Sequence, residues 1–172
     1  MKRMEVAVSV LAAAVMIAAG CGPVIHGNGD VITETREVTG FTGVRIESSA
    51  DVHLTQDSTE RVVVETDENL MEYVTTGLSG GRLVIDSRDG VSLAPTKLIV
   101  YVQGPDIDAL AIDGSGDISV SGTLTGDDLS LSIDGSGDIS ARVEMTSVRT
   151  DIDGSGDISL SGEAGTHTIS ID

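Results

Sequence analysis

The sequence predicts an all-β protein whose second half forms a right-handed parallel β-solenoid, a stack of coils built from short strands. An eight-residue motif, Ile-Asp-Gly-Ser-Gly-Asp-Ile-Ser, begins at Ile112, Ile133 and Ile152, so that it recurs after 21 and 19 residues. Apolar and polar residues alternate between the motifs, as in strands with one buried face. No stretch beyond the N-terminal segment has a helical period, so we expect no substantial helix. Coils of 19–21 residues fit this period.

The first 20 residues predict a secretion signal. Lys2 and Arg3 precede an apolar run over residues 6–19, which is shorter than the ~20 residues of a membrane-spanning helix. The run ends in Ala-Ala-Gly before Cys21, which is similar to the bacterial lipobox. We therefore expect residues 1–20 to be removed and Cys21 to be lipidated. The alternative is an ordinary secretion signal with an incidental Cys.

A short tether and one domain are expected after the signal. Residues 21–30 are rich in Gly and predict a flexible tether. Gly22, in the position after the lipidated Cys, favours the outer membrane if the source is Gram-negative. Residues 31–172 predict a single β domain, with irregular strands over 31–105 and the repeats over 106–172.

The first half of the domain contains several apolar segments that predict strands. Gly80-Gly81 predicts a hairpin turn, and residues 67–76 predict a short helix or another strand. The predicted strands are Val44-Arg45-Ile46, Val52-His53-Leu54, Val62-Val63-Val64, Leu83-Val84-Ile85 and residues 98–102.

The repeats predict buried and exposed faces residue by residue. Leu129, Leu131 and Ile133 share the inward face, and Ser130 and Ser132 point outward. Two architectures are compatible with this pattern: stacked solenoid coils, which we favour, or hairpins of an antiparallel sandwich joined at each Gly-Ser-Gly. The repeat turns are Gly114-Ser115-Gly116, Gly135-Ser136-Gly137 and Gly154-Ser155-Gly156.

The sequence stops within a repeat. Asp172 matches Asp153, and the next Gly-Ser-Gly would begin one residue later. Since solenoids normally cap their last coil, we expect a truncated sequence; the alternative is a chain completed by a partner.

Composition excludes several classes of function. The formal net charge is −18, and clustered Lys and Arg are absent, so nucleic-acid binding is not expected. One Cys allows neither an internal disulfide nor a thiolate metal cluster.

The paired carboxylates of the turns suggest calcium as a ligand, because hard cations prefer oxygen. Neither an EF-hand loop nor a Gly-Gly-x-Gly-x-Asp repeat is present. We favour turn capping and solubility as the role of these carboxylates, so no cofactor beyond this calcium candidate is expected. The candidate ligands are Asp113, Asp117, Asp134, Asp138, Asp153 and Asp157.

Enzymatic activity is not expected. A carbohydrate-active enzyme could use two carboxylates ~5–10 Å apart, yet every coil has the same pair and residues 106–172 contain no aromatic side chain for a sugar. His26, His53 and His167 are widely separated in the sequence, so a Ser-His-Asp arrangement is not expected.

Several segments together resemble the bacterial GIN domain, described as a head domain of auto-transporter adhesins. They are Gly40-Phe41-Thr42-Gly43-Val44, residues 62–65, Asp67-Glu68-Asn69-Leu70, residues 80–85 and the repeated Gly-Ser-Gly-Asp-Ile. The resemblance implies an all-β fold with stacked strands, secretion or lipidation, and no catalytic residues. Ser48-Ser49-Ala50 replaces Gly-Ser-Gly in the first turn.

The sequence therefore predicts a lipid-anchored, non-catalytic envelope protein with an adhesin-like or structural role. The expected partners are the membrane, through Cys21, and a surface protein or glycan. Exposed hydroxyl groups and the acidic turns would make the contact, and the hydroxyl candidates are Ser119, Ser130, Ser132 and Ser140.

Overall fold

The computed structural model describes residues 23–171, in which thirteen strands and one 3-10 turn are found. The predicted signal, Cys21 and Asp172 lie outside these residues. The strands are β1 (Val24–His26), β2 (Val31–Arg36), β3 (Gly43–Ile46), β4 (Asp51–Gln56), β5 (Arg61–Asp67), β6 (Val74–Ser79), β7 (Arg82–Ser87), β8 (Ser92–Ala94), β9 (Leu98–Gly104), β10 (Ala109–Ile112), β11 (Ile118–Gly135), β12 (Ile139–Gly154) and β13 (Ile158–Ile171).

Eleven strands form one sheet of mixed orientation, and β1 and β8 form a separate parallel pair. The order is β2-β5-β9-β4-β11-β10-β3-β7-β6, with β12 on β11 and β13 on β12. The pairs β2–β5, β5–β9 and β6–β7 are antiparallel, and the others in this sheet are parallel. The all-β class is confirmed, whereas a parallel solenoid over the whole domain is not, because β5 and β6 run opposite to the other strands of the sheet.

The repeats pair with one another in the expected register. Ile133 lies opposite Ile152, and Ile118 lies opposite Ile139, at separations of 19 and 21 residues. The hairpin alternative is wrong at the Gly-Ser-Gly turns of these repeats. Strand β10 pairs in parallel with Ser130–Ile133, at the C-terminal end of β11. It does not form a hairpin with Ile118, the residue at which β11 begins after the Gly-Ser-Gly turn.

Strands β11, β12 and β13 are longer than predicted, at 18, 16 and 14 residues. The sequence predicts two or three short strands per coil, but pairing continues almost through each bend. The register shifts between Ser119 and Thr123 of β11, and Gly122 there has φ +84°. A positive φ is readily adopted by Gly alone, so the strand bends without losing its later pairing.

The core is aliphatic, as the alternation predicts. Leu129, Leu131 and Ile133 are fully buried or nearly so, and their neighbours Ser130 and Ser132 are exposed or half-buried. Burying a side chain of this size contributes about 1.5–3 kcal/mol. Burial of the inward apolar residues of the repeat strands therefore stabilises the stack. The buried ring of Phe41 packs next to Gly104.

The hairpin at Gly80-Gly81 is confirmed, and the segment before it has both predicted forms. Gly80 and Gly81 have φ of +57° and +79° between the antiparallel strands β6 and β7. Met71–Tyr73 forms one 3-10 turn, and β6 follows directly.

The flexible tether predicted over residues 21–30 is wrong for its described part. Strand β1 pairs with β8, and the amide of Gly27 donates to the carbonyl oxygen of Ala94 at 2.9 Å. The side chain of Asn69 bridges the same segment, since it donates to His26 O and accepts from the Asn28 amide. Pairing of this kind gives the backbone amides of the segment hydrogen-bond partners within the protein.

Asp67 is the buried carboxylate that holds this segment. It accepts hydrogen bonds from the Gly29 amide at 2.7 Å and from the amide and hydroxyl of Thr96 at 2.8 and 2.7 Å. Burial acts to raise the pKa of Asp67, but the hydrogen bonds from Thr96, Gly29 and Lys97 outweigh it and leave the pKa below its ordinary value. The ionised form is therefore the one that the fold stabilises.

Candidate binding surface

A groove crosses the outward face of strands β5, β9, β4 and β11. Register across these strands aligns Val63, Tyr101, His53 and Ser119 in one row, and Arg61, Gln103, Thr55 and Ser121 in the next. The groove has a volume of about 420 Å³ and is lined by His53, Thr55, Arg61, Val63, Tyr101, Val102, Gln103 and Ser121.

Tyr101 gives this groove an exposed aromatic surface. The side chain is 39% exposed, and its ring lies 5.6 Å from that of His53 at an interplanar angle of 32°. Its hydroxyl donates to Glu65 Oε2 at 2.7 Å. The ring is therefore held in place at its tip and along one side, which limits the entropy lost when a ligand packs on it.

Glu65 accepts hydrogen bonds from both Tyr101 and Lys97. Its other oxygen accepts from Lys97 Nζ at 2.8 Å. The hydrogen bond from Lys97, followed by that from Tyr101, lowers the pKa of Glu65 although burial opposes it. The same contacts raise the pKa of Lys97 and of Tyr101, because each donor keeps its proton more firmly beside a carboxylate.

Arg61 differs from most other bases of the protein. Within residues 23–171, Arg61 and Arg142 are the two basic side chains that form no ion pair, whereas the remaining Arg and Lys side chains there each meet an acid. Arg61 is exposed at the groove wall, directly opposite Gln103. Its guanidinium donors are therefore available to a ligand.

The predicted repeat turns lie directly on top of one another. The amides of Ser115 and Ser136 donate to the carbonyl oxygens of Ser48 and Gly114 in the preceding turns, at 3.3 and 3.0 Å. A Cβ on Gly114, Gly116, Gly135, Gly137, Gly154 or Gly156 would lie closer than 3.0 Å to a carbonyl oxygen of the turn beneath. Close approach between coils therefore requires Gly at both ends of each repeat turn. The turn Ser48-Ser49-Ala50 lies between β3 and β4, and these strands pair with β7 and β9. Residues 88–97 connect β7 to β9, so no repeat turn lies beneath Ser48-Ser49-Ala50.

The second Asp of each motif forms a ladder between coils. Asp117 donates its amide to Asp51 Oδ1 at 3.3 Å, Asp138 to Asp117 at 2.9 Å and Asp157 to Asp138 at 2.8 Å. In return, the carbonyl oxygen of Asp138 accepts from the Ile118 amide at 2.8 Å. These carboxylates therefore cap the turns, as the favoured interpretation of the sequence holds.

The first Asp of each motif is used differently. Asp113 forms an ion pair with Arg45, and Asp134 and Asp153 are exposed. Within the described part of the chain, no three His, Cys, Asp or Glu side chains are grouped closely enough to hold a metal ion. The six Asp candidates thus divide into an inter-coil ladder and an outer row.

The three His side chains lie in three separate places. His26 is in β1, His53 is in the groove, and His167 Nε2 lies 2.6 Å from Thr150 Oγ1. No imidazole among residues 23–171 forms a hydrogen bond or ion pair with a carboxylate, which a Ser-His-Asp arrangement requires.

The four Ser candidates belong to two different rows of the sheet. Ser119 and Ser140 continue the row of His53 away from the groove. Ser130 and Ser132 lie opposite Ala109 and Ala111 of β10, on another part of the surface. They therefore form no single patch.

Sequence analysis missed Tyr101, Arg61, Glu65 and Gln103 as site residues. A signal was present, because alternation in β9 places Tyr101 and Gln103 in the outward phase, and exposed Tyr is uncommon in a chain with 2% aromatics. Their approach to Arg61 depends on the antiparallel pairing of β5 with β9.

The described residues form an all-β domain with stacked turns and an open groove on a paired sheet face. The family model "Putative auto-transporter adhesin, head GIN domain" matches residues 40–172, and the chain belongs to this family.

Solved structures with the same fold bear descriptions of adhesion or lipid binding. A putative lipid binding protein from Parabacteroides distasonis has a TM-score of 0.80 at 24% identity, over 86% of this chain and 65% of that one. A putative adhesin from the same organism has a TM-score of 0.63 at 24% identity, over 86% and 72%. A putative adhesin from Bacteroides fragilis has a TM-score of 0.62 at 13% identity, over 86% and 100%. At these identities the likeness shows the fold.

The chain spans 65% of the length of the first of these structures. No curated protein matches the sequence. Among the described residues, no helix is long and apolar enough to cross a membrane.

Proposed function

We propose that the protein is a non-catalytic binding domain of the bacterial cell envelope and that it contacts its partner through the groove on β5, β9, β4 and β11. The observation that carries this proposal is the exposed ring of Tyr101, fixed by Glu65 and His53 beside an unpaired Arg61. Membership of an adhesin-head family and neighbours described as adhesins support it. Fixed aromatic and Arg side chains are frequent anchors of binding sites.

Absence of catalysis is part of the proposal. Catalysis requires a distinctive acid, base or nucleophile, and the ladder Asp side chains instead accept hydrogen bonds from backbone amides. The names of the neighbours, which refer to adhesion and lipid binding, support a binding role.

Membrane attachment through Cys21 completes the proposed role. Acyl chains contribute about 0.8 kcal/mol per buried CH₂, so a multiply acylated Cys would anchor the domain stably. We expect the full chain to incorporate radiolabelled palmitate in a bacterial host and to fractionate with membranes, in the outer membrane of a Gram-negative host. Label in Cys21→Ser equal to that in the natural chain would overturn lipidation.

The parallel part of the sheet is proposed to be a right-handed solenoid of 19–21-residue coils. Support comes from the pairing of successive repeats in parallel at these separations and from the strong preference of parallel crossover connections for the right hand. An experimental crystal structure with left-handed connections would contradict it.

Cell adhesion tests the binding proposal. Bacteria that display the full chain are applied to surfaces coated with mucin, with collagen or with albumin, beside cells lacking the chain. We expect retention on mucin or collagen that is lost in Tyr101→Ala. Ser130→Ala, an exposed change on another part of the sheet, is the matched control and should keep full retention. Equal retention of Tyr101→Ala and the natural chain at equal display would overturn the proposed site.

A further inference from the structure

The groove combines an aromatic surface with one available cation. Tyr101 and Val63 lie opposite each other in one row, and Arg61 and Gln103 lie opposite each other in the next. Successive outward residues of a strand lie about 7 Å apart, and Arg61 and Tyr101 line the same groove. A volume of about 420 Å³ falls within the range of small-ligand sites, about 300–1,000 Å³.

Arg61 forms no ion pair although the chain is strongly acidic. The protein has 28 Asp and Glu against 10 Lys and Arg, so that acids to pair with a surface Arg are abundant. Most bases in residues 23–171 do pair, whereas Arg61 does not. The planar guanidinium suits bidentate binding of a carboxylate. Charge complementarity therefore favours a ligand with a carboxylate at this wall of the groove.

The remaining lining favours hydroxyl groups on the ligand. Thr55, Gln103 and His53 provide donors and acceptors around the ring of Tyr101. The face of an aromatic ring is negative and attracts the slightly positive C–H groups of a sugar. A carboxylate, several hydroxyls and an apolar C–H face occur together in a uronic acid.

Other ligand classes fit this groove poorly. An extended peptide adds a strand at a free sheet edge, but β4, β5 and β9 are each paired on both sides. Nucleic acid needs several phosphate-binding cations, and the groove lining contains one Arg. An apolar protein surface would leave the donors of Arg61 and Gln103 without hydrogen-bond partners.

We propose that the groove binds the uronic acid units of an acidic glycan, with the sugar ring on Tyr101 and its carboxylate on Arg61. This inference rests on the binding function proposed above and names its ligand class. Distant acids of the protein repel such a glycan, but exposed charges are screened beyond about 8 Å at physiological ionic strength. The direct contact with Arg61 therefore determines binding.

The probes are tetragalacturonate, tetraglucuronate and their methyl esters, which keep the sugar and remove the charge. The detergent-solubilised full chain is titrated by calorimetry with each probe. We expect at least one acid oligomer to bind, and its ester to bind about tenfold more weakly or worse, since a charged Arg–carboxylate pair is lost. Arg61→Gln should bind the acid oligomer about tenfold more weakly than the natural chain does and should bind the ester with unchanged affinity.

Two further variants keep the test interpretable. Arg142→Gln removes the other unpaired Arg, on β12 outside the groove lining, and should bind like the natural chain. Gln103→Ala should weaken both acid and ester, and its melting temperature serves as a check of folding. Equal binding of acid and ester, or an unchanged Arg61→Gln, would overturn the acidic ligand.

Failure of this inference is separable from failure of the proposed function. If Tyr101→Ala abolishes adhesion of cells but no acid oligomer binds, the acidic glycan is wrong and the binding site stands. If Tyr101→Ala leaves adhesion unchanged, the proposed site itself is wrong.

Discussion

The amide of Ser155 donates a 2.8 Å hydrogen bond to the carbonyl oxygen of Gly135 in the preceding turn. A Cβ on Gly154 would lie closer than 3.0 Å to this same oxygen. The hydrogen bond therefore depends on Gly at position 154, since the coils approach this closely only where no Cβ lies between them. Positive φ adds to the requirement, because Gly154 has φ +144°.

We expect Gly154→Ala to destabilise the protein by about 3 kcal/mol, because the new Cβ forces the coils apart and overpacking typically costs about 1–3 kcal/mol or more. Gly77 is the matched control, since a Cβ there meets nothing within 4 Å and its φ is not positive. Gly77→Ala should be neutral or slightly stabilising. Urea unfolding gives both free energies, and equal values for the two variants would contradict the stacking argument.

The Asp ladder predicts unequal effects for the two Asp side chains of one motif. Asp138→Ala should destabilise by about 1 kcal/mol, because the Asp157 amide loses its charged acceptor. Asp134 is exposed and accepts no hydrogen bond from residues 23–171, so Asp134→Ala should change stability little. Chemical unfolding at neutral pH measures the difference. The ladder is unimportant if the two variants unfold at the same denaturant concentration.

Asp67 predicts a pH-dependent contribution to stability. Its pKa is lower in the folded chain than in the unfolded one, so its contribution is present in full above the unfolded value of about 4. It is lost as the pH falls through that value toward the lowered pKa. Asp67→Asn replaces one of the two accepting oxygens with an amino group, which meets the amide of Thr96 in one orientation and that of Gly29 in the other. The variant should therefore melt several degrees lower at pH 7.

The difference between Asp67→Asn and the natural chain should narrow as the pH falls below about 4. Melting curves between neutral and acidic pH test this. Asp86→Asn, a change of the same charge at a half-buried site on β7, is a control for net charge. A constant difference between Asp67→Asn and the natural chain at all pH values would refute the argument.

The hydrogen bond between Tyr101 and Glu65 predicts a measurable rise in the pKa of the Tyr101 phenol. Its hydrogen bond to Glu65 raises its pKa above the ordinary value of about 10. In Tyr73→Phe, the ultraviolet titration reports Tyr101 alone, since the chain has two Tyr. Adding Glu65→Gln should lower the midpoint, because the acceptor loses its charge. A midpoint unaffected by Glu65→Gln would show that the ring is not fixed in this way.

Local sequence determined the faces of the repeat strands and their pairing partners. Alternation with period two is a property of the strand itself, so Leu131 and Ser130 could be assigned to opposite faces without knowledge of the fold. The 19-residue spacing similarly predicted that Ile133 meets Ile152. Near-identical sequences in successive coils leave one register in which every apolar residue is buried.

Tertiary structure alone decided the groove and the pairing partners of the N-terminal strands. Tyr101, His53 and Arg61 come from three strands, and their contact depends on β9 pairing with β4 in parallel and with β5 in antiparallel orientation. No repeat specifies these partners. The order of such strands follows from which backbone edges remain unpaired once the others are placed, which is a property of the whole sheet.

Local sequence and tertiary packing both explain the glycines of the turns. The sequence alone predicted where the turns fall, and it suggested conformational freedom as the reason for their Gly residues. Packing supplied the stronger reason, because the carbonyl oxygen of Gly114 occupies the space that a Cβ on Gly135 would need. A backbone preference is local and can be recognised from a motif, whereas contact between coils exists only after strands distant in sequence have been brought together.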